Sequence, residues 1–171
     1  MATDHCPHAS PFDANGVCAD ACQFYCDVVQ TNCAGSEAIY ADKAESRRSC
    51  AGNSAAPTGA TSLFPSTGTR FATAADNKNA IECRTYHALF AKSAPSVHCP
   101  HANFDGGEGV CGTFCDYYCE VMTATCTGGD SQFTSKANCV ATCGRYSAGQ
   151  GKGDFGTDSR DCRLNHALLA V

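Results

Sequence analysis

The chain of 171 residues carries 12 Lys and Arg against 17 Asp and Glu, a net charge of −5, with 43% hydrophobic residues, fifteen cysteines and no tryptophan. So many cysteines beside so thin an apolar complement mark a disulfide scaffold from an oxidising compartment. The acidic balance, with no basic cluster denser than Arg47-Arg48, excludes a nucleic-acid or anionic-membrane surface, and no apolar run approaches the roughly 20 residues that span a bilayer.

In chain order, the opening MATDHCPHAS has neither the basic nor the apolar region of a secretory signal, so Met1 reads as an initiator on a mature or trimmed chain. It contains HCPHA at His5 to Ala9, a motif that returns at His98 to Ala102. A shift of 93 residues lays Cys6, Cys18, Cys22, Cys26, Cys33 and Cys50 on Cys99, Cys111, Cys115, Cys119, Cys126 and Cys143, and leaves Cys139 facing Ser46. The first copy carries an extra segment within residues 51 to 70, AGNSAAPTGATSLFPSTGTR, whose Gly, Pro, Ser and Thr content predicts an exposed loop, open to O-glycosylation. A helix is predicted from about Asn77 to Lys92 through CRTYHAL, and its counterpart CRLNHAL lies in a predicted helix from about Ser159 to Leu169. Two repeats result, 1–95 and 96–171.

The helical pattern is clearest in the second copy. In GVCGTFCDYYCEVMTATC, residues 109 to 126, the three cysteines at 111, 115 and 119 join Tyr118, Met122 and Cys126 on one helical face. TGGD at 127 to 130 breaks that helix, and Ser131 is a candidate cap for a second one running to about Arg145. The predicted fold class is mainly α: two tandem disulfide-stapled modules, each a helical hairpin plus a short third helix and long loops.

Counting outward from the turn places Cys119 opposite Cys139 and Cys115 opposite Cys143. Cys111 and Cys126, fifteen helical residues apart, would stand roughly 22 Å from one another and cannot bond. Cys99 and Cys162 then take them, with the local pairing Cys99–Cys111 and Cys126–Cys162 preferred and the crossed pairing open. Transfer to the first repeat gives Cys22–Cys50, Cys6–Cys18 and Cys33–Cys83, and leaves Cys26 as an unpaired thiol because Ser46 stands where its partner would be. Each staple contributes roughly 2–4 kcal/mol.

All six histidines lie at repeated positions. Imidazole suits Zn and Cu, so His5, His8, His87, His98, His101 and His166 are candidate metal ligands, against the plainer reading of hydrogen bonds at helix ends. His87 lies eleven residues before His98, so the join between repeats gathers His87, His98 and His101. Catalytic patterns are missing: there is no CxxCH, CxxC, GxSxG or P-loop. A non-enzyme is expected, with no required cofactor.

Together, HCPHA, the CxxxCxxYC helix and CRxYH resemble an uncharacterised cysteine-rich module found in tandem in secreted bacterial proteins. The resemblance implies an extracellular protein and names no reaction; Ser46 and Asn165 depart from its pattern. The CxxxC steps are also similar to those of copper-storage bundles, whose reduced thiolates bind Cu(I). The expected function is a secreted structural or assembly protein that associates with itself. One tail-to-head junction lies inside the chain at residues 83 to 102, and the matching halves at the ends suit a head-to-tail filament or ring. The alternatives are an extracellular metal binder using the histidines and a thiolate Cu(I) store.

Overall fold

A computed structural model describes residues 20–52, 62–66, 79–150 and 153–170. The described chain is mainly helical, its only extended pairing being a single bridge between Ser147 and Ser159. Two compact units result, Met1–Thr113 and Phe114–Val171.

The first unit begins with α1 (Ala21–Asn32), capped by the Asp20 carboxylate, which accepts from the Gln23 N–H at 2.6 Å. A short 3₁₀ turn leads to α2 (Lys43–Ala51), whose cap Asp42 accepts from the Glu45 N–H while Glu45 reaches back to the Ala41 N–H. Gly52, in the left-handed conformation, ends α2. Cys22–Cys50 staples the hairpin as expected. At the second rung stand Cys26 and Ser46, and beside them the buried pair Arg47–Asp20, 2.8 Å apart. The third helix, α3 (Ile81–Phe90), packs on α1.

Residues 51–70 are not wholly an exposed loop. Ala51 closes α2, and Phe64 is buried against Tyr25, with the Arg84 guanidinium over its ring at 4.3 Å from the centroid. The Leu63 N–H donates to Cys50 O and the Ile81 N–H to Pro65 O, so 62–66 is tied at both ends. Apolar burial of one ring outweighs the loop-like composition around it. Residues 53–61 and 67–70 lie outside the described residues.

After α4 (Pro95–Ala102) of the first unit, the second unit holds α5 (Phe114–Thr125), α6 (Lys136–Cys143) and α7 (Arg160–Leu169). Cys115–Cys143 and Cys119–Cys139 join α5 to α6 in the expected pairs. Its internal contacts repeat those of the first unit at a shift of 93. Tyr118 meets Phe133 edge-on at 6.3 Å as Tyr25 meets Tyr40 at 6.4 Å, and Lys136 pairs with Glu120 as Lys43 pairs with Asp27.

Three element boundaries differ from expectation, the first being the start of α3, which begins at Ile81 and not at about Asn77, because Asn79 lies in a turn and Ala80 is extended. Ser135, not Ser131, caps α6, because a 3₁₀ turn at Gly128–Asp130 delays the helix. The face traced through residues 109 to 126 begins only at Phe114, so Cys111 lies outside α5. The chain turns at Gly112, whose φ of +95° a side chain rarely adopts and whose added Cβ would sit 2.7 Å from Asn79 Cβ.

Candidate functional site

The segment between α3 and α5 is the HCPHA head of the second sequence repeat, yet its contacts belong to the first unit. Pro95, pre-set for a first helical turn, starts α4 (Pro95–Ala102), which packs on α3 and α1. A four-residue turn at Gly106–Gly109 follows. Gly106 permits it: φ is +71°, and a Cβ there would fall 2.4 Å from the Cys111 carbonyl.

Both head cysteines bond backward across the repeat boundary, as Cys33–Cys99 and Cys83–Cys111. The preferred local pairing Cys99–Cys111 is therefore wrong, and so is Cys33–Cys83. Partners are not confined to one repeat, since α4 lies against α1 and α3, bringing Cys99 to Cys33 at the end of α1, and the chain beyond α4 brings Cys111 to Cys83 on α3. Cys126 and Cys162 are both free, so the expected bond between them is also absent. Cys6 and Cys18, with their expected bond, lie outside the described residues.

Three groups clasp the head besides the sulfurs. Arg84 is fully buried; its Nε donates to Asn103 O at 3.1 Å and its Nη2 to Phe104 O at 2.8 Å and Asn79 Oδ1 at 3.2 Å. Tyr25 donates its hydroxyl to Ala102 O at 2.7 Å. The third group is a histidine trio. His87 on α3 meets His98 and His101 on α4, with Nδ1 to Nδ1 distances of 2.9 and 3.4 Å. Burial first, then the neighbouring His101 and His98, pull His87 down to about 4, so its ring is neutral at pH 7. Its Nε2 is buried without a hydrogen-bond partner among the described residues. His87 also stands with the Cys83 and Cys111 sulfurs, which their mutual bond occupies.

Equivalent positions in the second unit carry the same residue types. Cys126 and Cys162 stand where the first unit has Cys33 and Cys83, Arg163 where it has Arg84, Tyr118 where it has Tyr25, and His166 where it has His87. Arg163 pairs with Asp158, at the place of Asn79, and lies over Tyr146 at 4.0 Å. Burial pushes the Tyr118 hydroxyl up to about 12, with Tyr146 adding to it. His166 is exposed, its ring edge-on to Phe155. His166 belongs to none of the described groups that could hold a metal ion, while His5 and His8 lie outside the described residues.

Three described thiols are free, not one. Cys26 is buried, and burial raises it to about 11 despite the Ser46 hydroxyl that accepts from or donates to it; Cys126 and Cys162 are half-buried. Alkylation requires the thiolate. Brief iodoacetamide treatment of native protein at pH 8, kept dilute and unlinked, is expected to label Cys126 and Cys162 well before Cys26, with Cys26 reacting only after denaturation. Peptide mapping reads the order, and early labelling of Cys26 would contradict its burial.

Sequence reasoning missed Arg84, Tyr25 and Phe64. The available signal was the Cys-Arg pair shared by both tail motifs, CRTYHAL and CRLNHAL. No family model, curated protein or solved structure matches the chain. The five disulfides among the described residues are those of a protein from an oxidising environment, and among the same residues no helix is long and apolar enough to cross a membrane.

Proposed function

We propose that the chain is a secreted, non-enzymatic structural protein whose copies link covalently head to tail. One observation carries this reading. The internal head bonds twice to the unit before it, through Cys33–Cys99 and Cys83–Cys111, while Cys126 and Cys162 occupy the positions of Cys33 and Cys83 with free thiols. The N-terminal HCPHASPFDANGVC holds the matching pair, Cys6 and Cys18, at the same spacing as Cys99 and Cys111. Its Phe12-Asp13 falls one residue later than Phe104-Asp105.

By that equivalence Cys6 of one copy bonds Cys126 of the next and Cys18 bonds Cys162. Arg163 is the counterpart clasp for the head's carbonyls, exchanging Asp158 for them. Repetition of such a heterologous contact builds a filament, or a ring where the rotation closes. A Cu(I) store fits less well, since five disulfides withdraw most of the described thiolates.

Oxidised, concentrated protein is expected to run as a ladder on a non-reducing gel and to collapse to one band on reduction. C126S/C162S, which retains only a head, mixed with C6S/C18S, which retains only an acceptor, should stop at the dimer. Peptide mapping should find Cys6–Cys126 and Cys18–Cys162 in the ladder. Strictly monomeric protein, with those bonds within one chain or with both acceptor thiols still free after oxidation, would overturn the reading.

A further inference from the structure

We infer that His87, His98 and His101 form a binding site for a single divalent transition ion, of the zinc or copper(II) class, held by their three Nδ1 atoms. The site lies wholly within Met1–Thr113, so it stands whether or not copies link head to tail.

Three nitrogen ligands at 2.0–2.1 Å in a tetrahedral array stand about 3.3–3.4 Å from one another. The observed Nδ1 separations from His87 are 2.9 Å to His98 and 3.4 Å to His101, with the donor atoms of all three rings within 4.8 Å. Small adjustments of two rings on the half-buried side bring them to that spacing. Hydrogen bonding alone satisfies the arrangement poorly. One Nδ1 proton on His87 serves at most one short contact well, and a proton on neither ring of a pair sets lone pair against lone pair. A cation accepts from all three at once.

Binding through Nδ1 puts the His87 proton on Nε2, which is buried without a hydrogen-bond partner among the described residues, but the rest of the surroundings suits an ion. Each ring is fixed by the backbone that carries it: His87 sits in the last turn of α3, and His98 and His101 share one face of α4 at i, i+3. Cys33–Cys99 locks α4 onto the first unit one residue from His98. That fixes the trio before any ion arrives, the preorganisation a small site needs. His87 is buried and His98 and His101 are half-exposed, so the ion is reached from the α4 side. No carboxylate belongs to the group, and an all-imidazole set favours zinc or copper(II) over the magnesium and calcium that oxygen ligands bind.

The test uses full-length protein carrying H5A/H8A/H166A, which leaves only the trio among the six histidines. After chelator treatment and dialysis, it is titrated with Zn(II) against a chromophoric chelator, and with Cu(II) followed by electron paramagnetic resonance. One equivalent with sub-micromolar affinity is expected for at least one of the two ions, with nitrogen hyperfine structure in the copper spectrum. Millimolar Mg(II) should not compete. His87→Ala risks the fold, so H98A and H101A, on the half-exposed side, are added one at a time, with circular dichroism checking that each remains folded. Each is expected to weaken binding about a hundredfold or more. Affinity unchanged in both, or no site tighter than about 10 μM for either ion, would overturn the inference.

Discussion

Serine at both Cys33 and Cys99 is expected to lower the stability of the first unit by about 4 kcal/mol, the largest loss from opening any one described disulfide. The bond spans 66 residues, whereas Cys22–Cys50, Cys83–Cys111 and Cys115–Cys143 each span 28. Loop-closure entropy grows with the logarithm of that span, giving about 4.3 kcal/mol for the long loop and about 3.6 kcal/mol for the short ones. The long bond also ends in a buried patch of Cys33, Ala91 and Cys99 with Ile39 against it, so its sulfurs contribute packing that serine does not replace. A urea midpoint in C33S/C99S lower than in C115S/C143S is the expected order, measured on the unit that holds each bond. An unchanged midpoint would mean that α4 docks by side-chain contacts alone.

Arg84→Met should cost about 3–5 kcal/mol, although methionine nearly matches its volume. Asn103 O and Phe104 O lose the donors that reach them from Nε and Nη2, Asn79 Oδ1 loses its contact, and the stack on Phe64 becomes thioether on ring. Buried carbonyls left without a donor each cost about 1–3 kcal/mol. Lysine is no substitute, because one ammonium cannot span acceptors that a planar fork reaches from two edges. Arg163→Met is the internal control. Its guanidinium is partly exposed and pairs with an Asp158 side chain that is 91% exposed, so the expected cost is below about 1 kcal/mol. Thermal unfolding of the two variants separates a clasp around a docked head from an ordinary surface pair; equal losses would remove the distinction.

The hairpins were legible because two rules act on the same residues: helical spacing puts Cys115 and Cys119 on one face, and counting from the TGGD turn finds Cys143 and Cys139 opposite. Helix ends were legible where a side chain competes for the first N–H groups, as Ser159 does for Cys162. Cys111 was not, since i, i+4 spacing continues smoothly from Cys115 to Cys111 while the backbone does not. The contrary signal was the glycine run FDGGEGVCG, which periodicity ignores. The backward pairing of the head failed for a different reason. Sequence repeats mark what was copied, whereas compact units mark what packs, and here 96–113 is copied with one repeat and packed with the other. Spacing did bring His87, His98 and His101 into one neighbourhood; only α3 against α4 could show that they converge through Nδ1.

Disulfides that reach backward over the repeat boundary also set how the protein answers tension. A pull applied at residues 20 and 170 travels along the shortest covalent route: from 20 to Cys33, across to Cys99, on to Cys115, across to Cys143 and out to 170. Residues 34–98 and 116–142 carry no load on that route, so neither α3 nor the α2 hairpin arm lengthens even if its packing is lost. Only 20–33, 99–115 and 143–170 can pay out as extended chain, at about 3.3–3.6 Å per residue. Half of α1's hairpin and most of the histidine-bearing join are thereby mechanically silent, and extension stops at a covalent limit far short of the contour length.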